Sequence, residues 1–115
     1  MGKSNALPSV TEEEFTNQVL ELAKLYHWRS AHFRQARTDK GWRTAVSGDG
    51  KGFPDTILVK GSRIIVAELK VGKNQATPEQ ELWLEAFRLT PAEVYVWRPD
   101  DWNKIEYILL VKSLT

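Results

Sequence analysis

The chain has 115 residues, enough for one compact domain and too few for two. With 42% hydrophobic residues, 27% charged residues and a net charge of +1, any nucleic-acid binding must depend on local basic patches. The absence of cysteine excludes disulfides, thiolate catalysis and cysteine-ligated zinc. No apolar run reaches membrane-spanning length and no apolar signal core is present, so we expect a cytoplasmic protein without a membrane partner.

The N-terminal part of the chain contains a helix start signal. Residues 1–10 show no periodicity and are predicted to form a flexible arm ahead of a single domain over residues 11–115. Thr11 is followed three residues later by Glu14, which is the spacing of a capping box, and apolar residues then recur at helical spacing. We therefore expect a first helix that ends near His27 and packs one face on a core.

The middle of the chain is predicted to be rich in β-structure. A strand is expected over residues 28–36, where apolar and polar residues nearly alternate. The polar stretch 37–52 is predicted to be a long loop, and loops of this length are usually either functional or disordered. Two β-rich runs follow over residues 55–60 and 63–70. The two-residue link between them, Gly61–Ser62, is typical of a tight hairpin.

A second helix is predicted after the hairpin. Thr77, Pro78 and Gln80 supply an N-cap, a proline at the first helical position and a capping-box partner. A strand over residues 93–97 and a last helix over about 101–111 complete the chain. This order predicts an α/β fold of the form α-β-β-β-α-β with a short C-terminal helix.

The turn at Gly61–Ser62 fixes which residues of the hairpin face each other. Ile57 is expected opposite Val66 and Asp55 opposite Glu68, with opposed Cβ atoms about 4.5–5.5 Å apart. Facing carboxylates are unfavourable, and the apolar strands around them predict partial burial, which strengthens the repulsion. Either one carboxyl keeps a proton or a divalent cation lies between them, and oxygen ligands favour Mg²⁺ or Mn²⁺.

Lys70 lies two residues beyond Glu68 and is expected on the same face of its strand. Two acids and a lysine form the minimum set for metal-assisted phosphodiester hydrolysis. The lysine can orient or deprotonate a water molecule, or stabilise the charge that develops at phosphorus. Alternatively, Glu68 and Lys70 are solvated residues at a strand end and Asp55 caps the turn after Pro54.

Four segments of the chain occur in a characteristic order: Gly52-Phe53-Pro54-Asp55, Glu68-Leu69-Lys70, Thr77-Pro78-Glu79-Gln80 followed by Trp83, and Val94-Tyr95-Val96-Trp97-Arg98-Pro99. Through them the chain from about Thr11 onwards resembles the VRR-NUC domain of the PD-(D/E)xK nuclease superfamily. The resemblance implies a restriction-endonuclease-like α-β-β-β-α-β core with a mixed central sheet flanked by helices. Its compact format is similar to that of phage proteins, so the expected location is a bacterial or phage-infected host cytosol.

The resemblance also implies roles for individual residues. Asp55 and Glu68 would be metal ligands, with the backbone carbonyl of Leu69 as a possible third, and Lys70 would be the catalytic lysine. Gln80 matches a family glutamine near the active site, although its alternative role is the capping box, and one residue can do both.

The resemblance also implies a glutamate on the first helix, because nucleases of this superfamily often carry one there. Glu12 lies three residues before Phe15 and seven before Val19, so we expect it on the core-facing stripe as a metal or water ligand. Glu13 and Glu14 are expected to point elsewhere. The alternative for Glu12 is charge stabilisation of the helix N-terminus.

Basic charge is concentrated before the hairpin, in Arg29, Arg34, Arg37, Lys40, Arg43 and Lys51. These residues predict a phosphate-binding track, and the alternative is a solvated loop. Trp42, in the middle of this stretch, either stacks on an unpaired base or is an incidental loop residue. Lys73 is a further expected phosphate contact. His32 is a further candidate near the site, although a lone histidine on a strand more often has a structural role.

These features favour a Mg²⁺- or Mn²⁺-dependent endonuclease that cuts structured DNA, such as junctions or flaps. Members of this type resemble Holliday junction resolvases, so a homodimer with two active sites is expected. The alternatives are a nucleic-acid-binding module that does not cut, and a protein-interaction domain in which the five tryptophans form an interface.

Overall fold

The computed structural model describes residues 10–33, 36–38, 41–43 and 48–112, with the backbone alone described for 36–38 and 41–43. Its elements are α1 (Glu12–Leu25), β1 (Arg29–His32), β2 (Ala36–Thr38), β3 (Gly41–Arg43), β4 (Thr56–Lys60), β5 (Arg63–Leu69), α2 (Pro78–Arg88), β6 (Glu93–Trp97) and α3 (Trp102–Glu106). A 3₁₀ turn over Pro99–Asp101 precedes α3, and a π-helical turn over Tyr107–Val111 continues it. No helix in these ranges is long and apolar enough to span a membrane.

Four strands form the central sheet in the order β1-β4-β5-β6. Strands β1, β4 and β5 are antiparallel neighbours, whereas β6 is parallel to β5 because α2 connects the two. The sheet is therefore mixed, and with its three helices the chain has an α/β fold. Helices and strands of the sheet follow one another along the chain in the predicted order.

The segment predicted to be one strand and a long loop is organised differently. The strand ends at His32 instead of residue 36. A separate two-stranded antiparallel hairpin, β2–β3, begins at Ala36, the last residue of the predicted strand, and continues into the predicted loop 37–52. Arg37 pairs with Trp42 in this hairpin. The loop prediction is wrong here because each strand has only three residues, too few to produce a readable alternation.

The main core lies on the α1 and α3 side of the sheet. Its buried members are Phe15, Val19, Leu22, Ala23, Trp28, Leu58, Ile65, Ala67, Leu69, Trp97, Ile105 and Leu109. The indole nitrogen of Trp28 donates to the carbonyl of Leu109 at 3.0 Å, which connects the π-helical turn after α3 to the segment between α1 and β1. Val66 alternates with Ile65 and so faces the other side of the sheet, where α2 packs through its fully buried Leu84.

The β4–β5 hairpin has the predicted register. Ile57 pairs with Val66, and Lys60 pairs with Arg63 across the Gly61–Ser62 turn. Gly61 has φ +60°, a left-handed conformation that glycine adopts without steric cost. Because the register is fixed at the turn, it also determines what lies at the opposite end of the hairpin.

Candidate active site

Two acidic side chains meet where β4 begins and β5 ends. The backbone nitrogen of Asp55, one residue before β4, donates to Oε1 of Glu68 at 3.1 Å. Glu68 is 1% exposed, which is rare for an ionisable side chain, and Asp55 is half-buried. The predicted opposition of the two acids is therefore present at the end of the ladder, and it places them against each other rather than in solvent.

Hydrogen bonds fix the orientation of the Asp55 carboxyl. Its Oδ1 accepts from the hydroxyl of Thr56 at 2.8 Å, and its Oδ2 accepts from the backbone nitrogen of Leu69 at 3.4 Å. The carbonyl of Asp55 accepts from the backbone nitrogen of Phe33 at 2.8 Å. Neighbouring strands thus hold both the side chain and the main chain of this residue.

The acid pair is electrostatically strained in the absence of a cation. Burial, followed by the charge of Asp55, raises the pKa of Glu68 to about 7, and Lys70 opposes this effect. Burial raises the pKa of Asp55 to about 6, against the effect of the hydrogen bonds from Thr56 and Leu69. Since the pKa of each acid is raised, a divalent cation bound by both would stabilise their ionised forms and remove an unfavourable charge arrangement.

Lys70 lies in the same cluster as the acids. Its Nζ is 3.6 Å from Oε2 of Glu68 and donates to Oε1 of Gln80 at 2.9 Å, and its side chain is 11% exposed. Its backbone nitrogen donates to the carbonyl of Trp97 at 2.9 Å, which extends the β5–β6 pairing by one residue. The ammonium group thus has two partners at the end of β5, the carboxyl of Glu68 and the side-chain oxygen of Gln80.

Gln80 has both of the contacts that the sequence left as alternatives. Its Oε1 accepts from the backbone nitrogen of Thr77 at 2.8 Å, and its own backbone nitrogen donates to the Thr77 hydroxyl at 3.2 Å, so the capping box is complete. The same Oε1 is the acceptor for Lys70. The cap therefore holds the glutamine in the position from which it orients the lysine.

Glu12 does not lie on the buried stripe of α1, and its expected place there is wrong. The buried residues of that helix are Phe15, Thr16, Val19, Leu22 and Ala23, whereas Glu12 is exposed in the first turn. Its charge still contributes to raising the pKa of Asp55, so it acts on the site from nearby. The stripe begins at Phe15 because the first turn extends beyond the core.

The two acids fit a divalent cation. Within residues 10–33 and 48–112, no three His, Cys, Asp or Glu side chains form a ready ligand group. Mg²⁺ commonly binds proteins through one or two carboxylates and completes its shell with water and substrate phosphate. Asp55 and Glu68 match that donor set, and the backbone of Leu69 lies beside them, because its nitrogen donates to Oδ2 of Asp55.

The predicted phosphate-binding residues are described in part. Lys51 has an 83% exposed side chain and forms an ion pair with Glu79 at 3.8 Å, and Lys73 is exposed. Arg34 and Lys40 lie outside the described residues. For Arg37, Trp42 and Arg43 the backbone lies in the β2–β3 hairpin, and their side chains lie outside the description.

Residues that the sequence left without a functional role also support the site. Gly52 has φ +82°, and a Cβ on it would lie 2.6 Å from the backbone carbon of Glu79. Phe53, the next residue, contacts the rings of Phe33, Trp83 and Phe87 with centroids 4.9 to 5.9 Å away. The segment that leads into Asp55 is therefore packed tightly against the first turns of α2.

Substitution of Gly52 by alanine should destabilise the protein by about 3 kcal/mol or more, since a strained φ and a backbone overlap both contribute. Gly61→Ala is a matched control, because Gly61 also has a positive φ, yet among the described residues no atom beyond its two chain neighbours lies within 4 Å of its added Cβ. That control should cost about 1 kcal/mol. Urea unfolding measures both, and equal losses would show that the close approach to α2 has no energetic weight.

The acids, the lysine and the glutamine lie together where the two central strands meet the first turn of α2. A search of family models, of curated proteins and of solved structures finds no match for this chain. The geometry of these residues is therefore the basis on which a function can be inferred.

Proposed function

We propose that this chain is a Mg²⁺- or Mn²⁺-dependent DNA endonuclease of the VRR-NUC type, with a restriction-endonuclease-like core. The observation that carries the proposal is a cluster in which the backbone nitrogen of Asp55 donates to the buried Glu68 carboxyl at 3.1 Å, and Nζ of Lys70 lies 3.6 Å from the same carboxyl. The pKa of each acid is raised. A purely structural role would leave Glu68 buried against another acid, which lowers stability. Sites that retain such a cost are commonly functional.

A bound Mg²⁺ or Mn²⁺ supplies Lewis-acid polarisation of a phosphodiester oxygen. Asp55 and Glu68 bind the ion, and the hydrogen bonds to both carboxyls fix their orientation before it arrives. Leu69 offers its backbone carbonyl, and Glu12 adds negative charge close to Asp55. Both of these remain proposed contributors to the metal site.

Lys70 acts on the substrate in the proposed reaction. An ammonium group has three N–H donors, and among the described contacts two are directed towards Glu68 and Gln80. The third is available for a phosphate oxygen, where it stabilises the negative charge of the transition state, or for the attacking water. The hydrogen bond to Gln80 keeps the ammonium group of Lys70 beside the acids.

The proposed substrate is branched or otherwise structured DNA, bound by a homodimer. Lys51 and Lys73 supply exposed positive charge, and the basic residues of 34–43 are proposed to continue the track. A dimer places two active sites on the two strands of a symmetrical junction. Light scattering after size-exclusion chromatography measures the oligomeric state, and a monomer in the presence of junction DNA contradicts this part.

The test of the function is a panel of end-labelled four-way junction, flap, nicked, duplex and single-stranded DNAs, incubated with Mg²⁺ or Mn²⁺. We expect cleavage of one or more structured DNAs, none with EDTA, and none with Lys70→Ala protein. DNA binding without cleavage of any member would support a binding module that does not cut. Absence of both DNA and metal binding would support a protein-interaction domain.

A further inference from the structure

Asp55 is connected to the edge strand β1 by a chain of hydrogen bonds through a buried threonine. Thr56 is fully buried, and its hydroxyl donates to Oδ1 of Asp55 at 2.8 Å. The Nδ1 atom of His32 lies 3.3 Å from the same hydroxyl oxygen. The hydroxyl proton is directed to the carboxyl, so the histidine is the donor of this hydrogen bond in the tautomer that carries a proton on Nδ1.

Strand pairing accounts for this arrangement. His32 and Thr56 are direct partners in the β1–β4 ladder, so their side chains lie on the same face of the sheet. Phe33, the next residue of the chain, donates its backbone nitrogen to the carbonyl of Asp55 at 2.8 Å. Strand β1 and the residue after it therefore hold Asp55 at two points, its main chain through Phe33 and its carboxyl through the His32–Thr56 pair.

We propose that His32 and Thr56 are positioning residues that hold the Asp55 carboxyl in the orientation that binds the divalent cation. This inference rests on the proposed function. A carboxylate oxygen has two lone-pair directions, so Oδ1 can accept the Thr56 hydroxyl and still face an ion. The hydrogen bond restricts rotation of the carboxyl, which otherwise costs conformational entropy each time the ion binds.

Some residues do not touch a metal but hydrogen-bond to one of its ligands. Removal of such a residue commonly weakens metal binding by about 10- to 100-fold. Thr56→Val keeps the branched shape of a strand residue and removes the hydroxyl. We expect it to weaken Mn²⁺ binding about 10-fold and to lower kcat on a cleaved DNA, with KM for the DNA unchanged. A hydroxyl that merely satisfied a buried position would leave the Mn²⁺ affinity as it is.

Conservative variants test whether the hydrogen bonds themselves matter. Thr56→Ser retains the hydroxyl and should bind Mn²⁺ within about threefold of wild type. At His32, an asparagine places an amide N–H near the position of Nδ1, whereas a leucine removes the donor. His32→Asn should therefore retain the affinity that His32→Leu loses. Ser30→Ala, an exposed change on the same strand, is the control and should alter nothing.

Calorimetric titration of each protein with Mn²⁺ alone, without DNA, gives the decisive comparison, and thermal unfolding checks that each variant folds. Wild-type affinity in Thr56→Val, or equal affinities in His32→Asn and His32→Leu, would overturn the positioning role and leave the nuclease proposal standing. Absence of Mn²⁺ binding in the wild type would overturn both. If Thr56→Val does not fold, the His32 pair of variants decides the question.

Discussion

Lys70→Met protein should cleave DNA about 10³-fold more slowly than wild type, while its fold, Mn²⁺ binding and DNA binding persist. The substitution keeps most of the length of the side chain and removes the charge and the N–H donors. Loss of a general acid–base group or of one transition-state donor typically costs two to four orders of magnitude in rate. Single-turnover cleavage under saturating protein measures the chemical step directly.

The matched control for this experiment is Lys104→Met, because Lys104 is an exposed lysine on α3. It should retain the wild-type rate. Undiminished Mn²⁺-dependent cleavage by pure Lys70→Met protein would remove the lysine from the mechanism. A large loss in both variants would instead point to a general effect of charge on DNA binding, which the binding measurement detects.

Without divalent ions, the free energy of unfolding should fall on the order of 2 kcal/mol as pH rises from 5 to 8. The folded pKa values of Asp55 and Glu68 are raised to about 6 and about 7, so the folded protein retains protons that the unfolded chain has released. The stability that these two acids contribute is fully present below their pKa values in the unfolded chain, about 4. It is lost as pH rises through their pKa values in the folded protein. The ion pair of Arg63 with Glu93 does not contribute to this change between pH 5 and 8. The pKa of Glu93 is lowered to about 2, so the stability that this pair provides is lost only as pH falls below about 4.5.

Glu68→Gln isolates the effect, since it removes one of the two acids and keeps the shape of the side chain. We expect this variant to be more stable than wild type at pH 8 in EDTA, and to have a flatter dependence on pH. Added Mn²⁺ should stabilise wild type at pH 8 in proportion to the logarithm of its concentration and should not stabilise the variant. Urea unfolding at several pH values measures all three effects.

Glu81→Gln, an exposed change on α2, is the control and should follow the wild-type curve. Parallel pH dependence in wild type and Glu68→Gln protein would mean that the acid pair is not strained. Stabilisation of both proteins by Mn²⁺ to the same extent would place the ion elsewhere on the molecule.

The parts of the site that follow from local sequence could be predicted. The Gly61–Ser62 turn sets the hairpin register by counting, and that register brings Asp55 against Glu68 and Lys70 beside it. The capping box of α2 likewise depends on a spacing of three residues, and it determines where Gln80 lies. Such features are readable because both partners lie close together in the chain.

Contacts that depend on strand order could not be predicted in this way. Thr56 meets His32 because β1 pairs with β4, and nothing in the residues of either strand fixes that neighbour. The contact of Gly52 with the first turn of α2 depends equally on how the helix is packed. Glu12 was misplaced for a related reason, since helical spacing indicates a face of α1 but not where the core ends along it.

The central claim is tested most directly by the rate of DNA cleavage as a function of Mn²⁺ concentration, in wild type and in Asp55→Asn protein prepared in parallel. The structured DNA that is cut best in the panel is the substrate. We predict a rate that is zero in EDTA, rises to saturation with Mn²⁺ in wild type, and falls about 10³-fold in Asp55→Asn. Cleavage in EDTA, or an undiminished rate in Asp55→Asn, would contradict a metal-dependent site built on Asp55 and Glu68.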